Sequence, residues 1–290
     1  MVKLGAHQSI SGGYIEALKR INNIGGNCLQ IFSSSPRGWS FAKVDSNDIK
    51  KFVGEKNKLK IDPVYFHASY LVNLADEGRV GHLSKQSLIA ELNLALKLQI
   101  KGSIVHLGSY KENSKNPQDY LSHDRERDNK YKILINNIEE ILQNTPQESL
   151  FIIENAGNKK IGQTLEEIAQ IIKDVNNLRV RICLDTCHLF SSGYSFKTKN
   201  ELDIFFDKLA KLEIINRIEL YHVNDSRDTF ASGRDRHENI GQGLISIDTF
   251  KLFINHPKTK NLSFIIETPG FDGNGPDKKN LDILKSLINI

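Results

Sequence analysis

The sequence predicts an α/β fold: a closed (β/α)8 TIM barrel whose active site lies at the C-terminal ends of its strands. Three observations lead there. Eight short β-rich runs recur along the chain, mostly separated by stretches whose apolar residues fall at helical spacing. Strand–helix alternation of this kind builds a parallel sheet with helical crossovers. No G-x-G-x-x-G segment follows the first run, which argues against an open dinucleotide-binding sheet. The length also fits, since one such barrel takes roughly 250 residues. A single domain over residues 1–290, with inserted loops, is therefore expected.

The elements follow in order. Residues 2–5 form the first run. Gly12 and Gly13 punctuate, and residues 14–24 read as a helix with Ile15, Leu18 and Ile21 on one face. The second run is Cys28–Phe32, followed by a Ser/Pro/Gly loop holding Arg37 and Trp39 and a polar helix over residues 46–59. The third is Val64–His67. A helix over 84–98 carries Leu88, Leu92 and Leu96 as its apolar face. Residues 103–106 are the fourth run, and a helix near 125–143 leads to the fifth, Leu150–Glu154. A helix near 165–173 leads to the sixth, Val180–Asp185, and one near 202–212 to the seventh, Ile218–His222. Residues 264–267 are the eighth, and a last helix covers 280–287. Two long loops, 108–124 and 224–244, are read as functional, because long structureless loops in compact domains usually are.

Composition narrows the class without choosing a substrate. The chain is 39% hydrophobic and 26% charged, ordinary for a globular protein able to bury a large core. Its 39 Lys and Arg against 35 Asp and Glu give a net charge of +4, which permits an anionic partner but does not require one. Cys28, Cys183 and Cys187 are too few, and odd in number, for a disulfide framework, so a reducing cytoplasm is expected. The opening residues lack a basic segment followed by an apolar core, so no secretory signal is expected. No apolar run approaches the roughly 18 residues that span a bilayer.

Chemistry collects where the runs end. Six of them finish on a metal-competent side chain: His67, His106, Glu154, Asp185, His222 and Glu267. In a barrel the C-terminal strand ends open onto one face, so these residues would converge. A single such residue has a dull explanation, contact with solvent or a loop backbone; six in succession do not. Carboxylates brought together repel and raise each other's pKa. A divalent cation relieves that repulsion, and imidazole with carboxylate suits zinc, manganese or iron. His188 follows Asp185 closely, and Asp235 and His237 form an Asp-x-His pair able to chelate one ion. Nine ligands are too many for one tetrahedral ion and enough for two or three. Cys187, although able to act as a thiolate ligand, is read as a buried apolar residue; Cys28 and Cys183 are read as core. His7 is a candidate for contact with substrate or with the ligands. His82, His123 and His256 are read as solvated.

These residues resemble the endonuclease IV family of zinc-dependent apurinic/apyrimidinic endonucleases. The resemblance runs from end to end. It rests on Gly5-Ala6-His7, on His67-Ala68-Ser69-Tyr70-Leu71-Val72-Asn73-Leu74-Ala75, on Val105-His106-Leu107-Gly108 and on Ile153-Glu154-Asn155. It continues in Cys183-Leu184-Asp185-Thr186-Cys187-His188, Ser192-Gly193-Tyr194 and His222-Val223-Asn224-Asp225-Ser226. The closing pieces are Asp235-Arg236-His237-Glu238-Asn239-Ile240-Gly241-Gln242-Gly243 and Ile266-Glu267-Thr268-Pro269-Gly270. The Leu-Asp-Thr-Cys-His and Asp-Arg-His-Glu-Asn-Ile-Gly-x-Gly segments are the most specific.

The resemblance implies three Zn2+ ions, with Mn2+ an alternative at one position. His67, His106 and Glu154 would hold the first. Glu154 would bridge to the second, completed by Asp185, His222 and Glu267. His188, Asp235 and His237 would hold the third. Glu154 and Glu267 are the implied catalytic carboxylates. Arg37, Tyr70 and Leu71 match the loop positions that enter the minor groove, whereas Ala68 stands where some members carry a different side chain. The implied substrate is double-stranded DNA containing abasic sites or blocked 3′ ends. The implied reaction is hydrolysis 5′ to the abasic site, leaving a 3′-hydroxyl and a 5′-deoxyribose phosphate, by a monomer without membrane attachment. Two rivals remain: a metal-dependent sugar isomerase or epimerase on a related barrel, and a non-catalytic lesion-binding protein.

Overall fold

The computed structural model describes residues 2–39, 41, 43–110, 120–157 and 160–289, with side chains placed from 126 onward in the segment that begins at 120. The first half of the chain runs β1 (Lys3–His7), α1 (Tyr14–Asn23), β2 (Cys28–Phe32), α2 (Ser46–Lys58), β3 (Val64–His67), α3 (Arg79–Leu98), β4 (Gly102–Val105) and α4 (Tyr120–Gln143). It continues with β5 (Leu150–Glu154), α5 (Leu165–Val175), β6 (Val180–Asp185), α6 (Thr186–Ser191), α7 (Lys199–Lys211) and, after one 3-10 turn, β7 (Ile218–His222). The short strands β8 (Asp225–Ser226) and β9 (His237–Glu238), helix α8 (Ile247–Ile254), strand β10 (Ser263–Ile266) and helix α9 (Lys278–Leu287) complete it. Eight parallel strands close a TIM barrel in the order β1, β10, β7, β6, β5, β4, β3, β2.

Local chemistry starts the helices where the strands release the chain. Asp45 accepts from the backbone N–H groups of Asn47 and Asp48 at 2.8 Å each to cap α2. Thr198 and Glu201 form a reciprocal capping box at the start of α7. The apolar face of each outer helix then packs onto the barrel: Leu18 and Ile21, Leu88 and Leu92, Ile138 and Ile141, Ile168 and Ile171, and Leu281 and Leu284 are all buried. Burying each such side chain contributes roughly 1.5–3 kcal/mol.

A separate cluster fills the barrel interior. Cys28, Tyr65, Ile104, Ile152, Cys183, Leu220 and Ile265 are buried together, one from each of seven strands. The eighth strand, β1, passes too close to β2 for a side chain. A Cβ on Gly5 would lie 1.9 Å from the Cys28 carbonyl oxygen.

The expected strands are all present, with small shifts. β1 extends to His7, while β4 and β10 stop one residue short of His106 and Glu267, which therefore lie just past their strands. Helix α3 begins at Arg79 rather than 84, and α4 at Tyr120. Helices α6 and α8 and the β8–β9 pair were not expected. Most of the loop read over 108–124 lies outside the described residues, as does the His123 side chain. Among the described residues, no helix is long and apolar enough to cross a membrane.

Candidate metal centre

Successive residues of a strand face opposite sides of the sheet, so positions two apart share a face. Each inward residue of the interior cluster is followed, two positions on, by a polar side chain. Tyr65 leads to His67, Ile104 to His106, Ile152 to Glu154, Cys183 to Asp185, Leu220 to His222 and Ile265 to Glu267. The same step leads from Gly5 to His7 and from Cys28 to Gln30. The apolar interior is thus a floor, and a polar layer lies above it.

The side chains expected as ligands form three touching groups. In the first, the Nε2 atoms of His67 and His106 lie 3.1 and 3.2 Å from Glu154 Oε2. In the second, His222 Nδ1 lies 3.0 Å from Glu154 Oε1, 3.4 Å from Glu267 Oε2 and 3.8 Å from Asp185 Oδ2. In the third, His188 Nε2 is 2.9 Å and His237 Nε2 3.5 Å from Asp235 Oδ1, and the two imidazole nitrogens are 3.4 Å apart. Ligand atoms bound tetrahedrally at about 2.0–2.1 Å from one ion lie about 3.3–3.4 Å from each other. All three groups could hold a cation at these spacings. Asp185 Oδ2 also comes within 3.6 Å of His237 Nε2, linking the second group to the third.

Hydrogen bonds fix which imidazole nitrogen faces inward. His67 Nδ1 bonds the Ala68 carbonyl at 2.9 Å and His188 Nδ1 the Asn155 carbonyl at 2.9 Å, so Nε2 faces the carboxylates in each. His222 is reversed: its Nε2 bonds Gln30 Oε1 at 2.7 Å, leaving Nδ1. Carbonyl partners of this kind accept the remaining N–H of a metal-binding histidine and orient its ring. The carboxylates are held as well. Asn224 Nδ2 donates to Asp185 Oδ2 at 2.6 Å, and its Oδ1 accepts from the Glu267 backbone N–H at 2.7 Å. Asn155 Oδ1 accepts from the Asp185 backbone N–H at 2.7 Å.

Charge in the centre is balanced internally. Burial opposes ionisation of Glu154, but His106 and His222 outweigh it and hold its carboxyl well below the usual range. Burial likewise works against Glu267, and His222, with His7 close by, holds it well below that range too. Asp185 and Asp235 overcome burial to hold His188 well above its ordinary value, and Cys183 and Glu267 do so for His222. Burial takes His106 the other way, down to about 4. Ionised carboxylates facing imidazolium protons are a site in which a cation can replace the protons.

Two local devices bring in the third group. Asp185 caps α6, accepting from the His188 backbone N–H at 3.0 Å, so one short turn presents His188 to the barrel mouth. The β8–β9 pair matches Ser226 with His237 and returns the long loop to the centre. Cys187 is buried, with its sulfur 3.7 Å from the Arg236 carbonyl. It can be grouped with Asp235 and His237, but burial pushes its thiol up, away from the thiolate a metal needs.

The expected DNA-contacting residues rise beside this centre. Arg37 is exposed, Tyr70 is 65% exposed and Leu71 38%. Their loops are tied together: Pro36 O accepts from the Tyr70 backbone N–H at 3.2 Å and from Ser69 Oγ at 2.8 Å. Tyr70 forms an edge contact with Phe32, their ring centres 5.4 Å apart. Below them an open cleft of ≈ 320 Å³ is lined by candidate ligands of all three groups, including His67, His188 and Glu267. His7 also lines it, 2.8 Å from Gln30 Nε2 and 3.5 Å from Glu267 Oε1. His82 is exposed. His256 is not the solvated residue expected, because it stacks on Phe206 at 4.3 Å and reaches Asp203 at 3.1 Å.

Sequence reasoning passed over Gln30, Asn155 and Asn224. Gln30 carried a readable signal: an amide inside the apolar run Leu29-Gln30-Ile31 must find partners when buried. Asn155 and Asn224 carried none, since asparagine after a strand reads as ordinary turn chemistry.

Comparison with known proteins agrees with this geometry. Residues 18–287 match the family of xylose isomerase-like TIM barrels. A relative named "Probable endonuclease 4" from Sulfurihydrogenibium sp. (strain YO3AOP1) is 34% identical over 292 residues, 99% of this chain and 100% of the relative. The crystal structure of endonuclease IV from Thermus thermophilus superposes with a TM-score of 0.82 at 26% identity, covering 98% of each chain. A D-tagatose 3-epimerase-like protein shares the fold alone, with a TM-score of 0.69 at 20% identity over 99% of this chain and 97% of that one. With an endonuclease 4 relative matched over its whole length and all nine expected ligands gathered at the barrel mouth, the chain belongs to the endonuclease IV family.

Proposed function

We propose that this chain is a zinc-dependent apurinic/apyrimidinic endonuclease of DNA repair. It acts as a single-domain monomer in the cytoplasm. It hydrolyses the phosphodiester bond 5′ to an abasic site, leaving a 3′-hydroxyl and a 5′-deoxyribose phosphate, and it trims blocked 3′ ends by the same chemistry. The observation that carries the reading is the third group, His188, Asp235 and His237, joined to the second through Asp185. Sugar isomerisation on a related barrel needs no such addition.

Three zinc ions would be held, by His67, His106 and Glu154, by Glu154, Asp185, His222 and Glu267, and by His188, Asp235 and His237, with manganese an alternative occupant of one position. Bound cations of this class lower the pKa of water and neutralise charge on the phosphate and the leaving oxygen. The protein's own groups do the rest. Glu154 offers one oxygen to each of two groups, keeping them at a fixed spacing. The Glu267 carboxylate reaches the cleft, 19% exposed, which supports a role in orienting the attacking water. Arg37, Tyr70 and Leu71 wedge the minor groove so that the abasic nucleotide leaves the stack. That motion is cheap at a lesion with no base pair to break.

The decisive test uses a duplex carrying one abasic analogue, with and without chelator. A nick on the 5′ side that chelator abolishes is the expected result; turnover of a ketose with no nicking of DNA replaces this reading with the epimerase. Glu267→Gln should abolish cutting while sparing DNA binding, and full activity in that variant refutes its role. Arg37→Ala should weaken binding to the lesion duplex and leave zinc content unchanged by elemental analysis. Binding should also fall with added salt, as phosphate contacts dictate; a flat salt response contradicts a DNA substrate.

A further inference from the structure

Gln30 is fully buried in the middle of β2, and it touches three groups of the centre at once. Its Oε1 accepts from His222 Nε2 at 2.7 Å. Its Nε2 donates to Glu267 Oε1 at 2.5 Å and lies 2.8 Å from His7 Nδ1. The amide orientation is forced, because the reversed amide would set its oxygen against the Glu267 carboxylate. With that orientation fixed, the hydrogens can be counted. The carbonyl needs a donor, so His222 carries its proton on Nε2. The two amide hydrogens go to Glu267 and to His7, so His7 Nδ1 is an acceptor.

We infer that Gln30 is a positioning residue of the centre: it locks His222 in the tautomer that presents Nδ1 to the ligand group, and it holds Glu267 against rotation toward the cleft. The inference rests on the metal-dependent reading proposed above. His222 is the only histidine of the ligand set whose inward nitrogen is Nδ1 among those with an assigned outward partner. Rotation of its ring would put Nε2 inward and leave the Gln30 carbonyl buried without a donor. An unpaired buried carbonyl is unfavourable by roughly 1–3 kcal/mol, so the lock is strong. His7 braces the amide from the far side: its ring packs 4.5 Å from Phe32, and β1 pairs His7 directly with Gln30 in register. Side chains from β2, from β1 and from just past β10 thus act on His222 of β7, the next strand in the barrel.

The test compares the full chain with Gln30→Met, which keeps length and bulk but removes both hydrogen-bonding functions. It also uses Gln30→Glu, which keeps an acceptor for His222 but removes both donors. Nitrogen-15 NMR of the histidine rings, with and without zinc, reads the tautomer directly. Chelator competition reads zinc affinity, and steady-state cleavage of an abasic duplex separates kcat from KM. In Gln30→Met the Nε2–H signature of His222 should be lost, and zinc affinity should fall about 10–100-fold, the usual effect of removing an outer partner of a metal ligand. In Gln30→Glu the signature should return while kcat stays low and KM changes little. An unaltered His222 tautomer and unaltered zinc affinity in Gln30→Met overturn the inference. If that variant does not fold, full kcat in Gln30→Glu overturns it. A wild-type chain that binds no zinc refutes the proposed function instead, and whether the His222 Nε2–H is hydrogen-bonded to Gln30 in the zinc-free chain still decides the role of Gln30.

Discussion

Glu154→Gln should lower cleavage of an abasic duplex by on the order of 10³-fold or more, about 4 kcal/mol of transition-state stabilisation, with a parallel loss of bound zinc. The size follows from position. Glu154 is fully buried, and its two oxygens face His67, His106 and His222 at 3.0–3.2 Å. His188 Nδ1 lies 3.4 Å away as well. Glutamine has the same shape but differs at both ends. It lacks the charge that balances these imidazoles, and one of its two termini becomes an N–H donor. That donor would bond an imidazole lone pair and so remove a ligand as well as a charge. Elemental analysis alongside single-turnover cleavage checks the pair of effects. Zinc content and rate both near wild type would show that Glu154 bridges nothing.

Asp225→Ala should destabilise the fold by roughly 3–5 kcal/mol and also release the third group. Asp225 is completely buried and accepts from four backbone N–H groups: Ser226 at 2.8 Å, Gly241 at 2.9 Å, Gly243 at 3.0 Å and Ile245 at 2.9 Å. It clasps the segment that follows His237 and Glu238. The fit leaves no room for a side chain at Gly243, where a Cβ would lie 2.4 Å from Asp225 Oδ1. Alanine strands all four donors at once, and the β8–β9 pair that carries His237 loses its support. Denaturant unfolding should show the destabilisation, and zinc should be lost first from the group of His188, Asp235 and His237. A variant of wild-type stability that keeps its full zinc complement contradicts the clasp.

The barrel and its nine candidate ligands were legible because both leave signatures in residue type. Apolar runs ending on His, Asp or Glu are unusual, and six of them in a row pointed to one face. What stayed hidden was either too short to show a pattern or dependent on partners distant in sequence. Helix α6 spans only Thr186–Ser191, too short to show a period. Its existence rests on the Asp185 cap, and Asp185 reads first as a ligand. Strands β8 and β9 hold two residues each, so no alternation marks them. His256 looked solvated because the ring it stacks on, Phe206, lies on α7. For Gln30 the need for partners was readable from its apolar run, but their identity was not, because only the closed barrel brings it against His222 and Glu267.

The apolar floor under the polar layer has an electrical consequence. Cys28, Tyr65, Ile104, Ile152, Cys183, Leu220 and Ile265 seal the barrel from below. Field lines from the centre are therefore weakly screened through that layer, and the mouth is the nearer medium of high permittivity. Once a DNA backbone covers the mouth, the same charges act through a much less polarisable surrounding, where Coulomb interactions are several-fold stronger than in water. Substrate would thus act as the lid of an insulated cell, raising the strength of the centre at the moment of reaction without any movement of the protein.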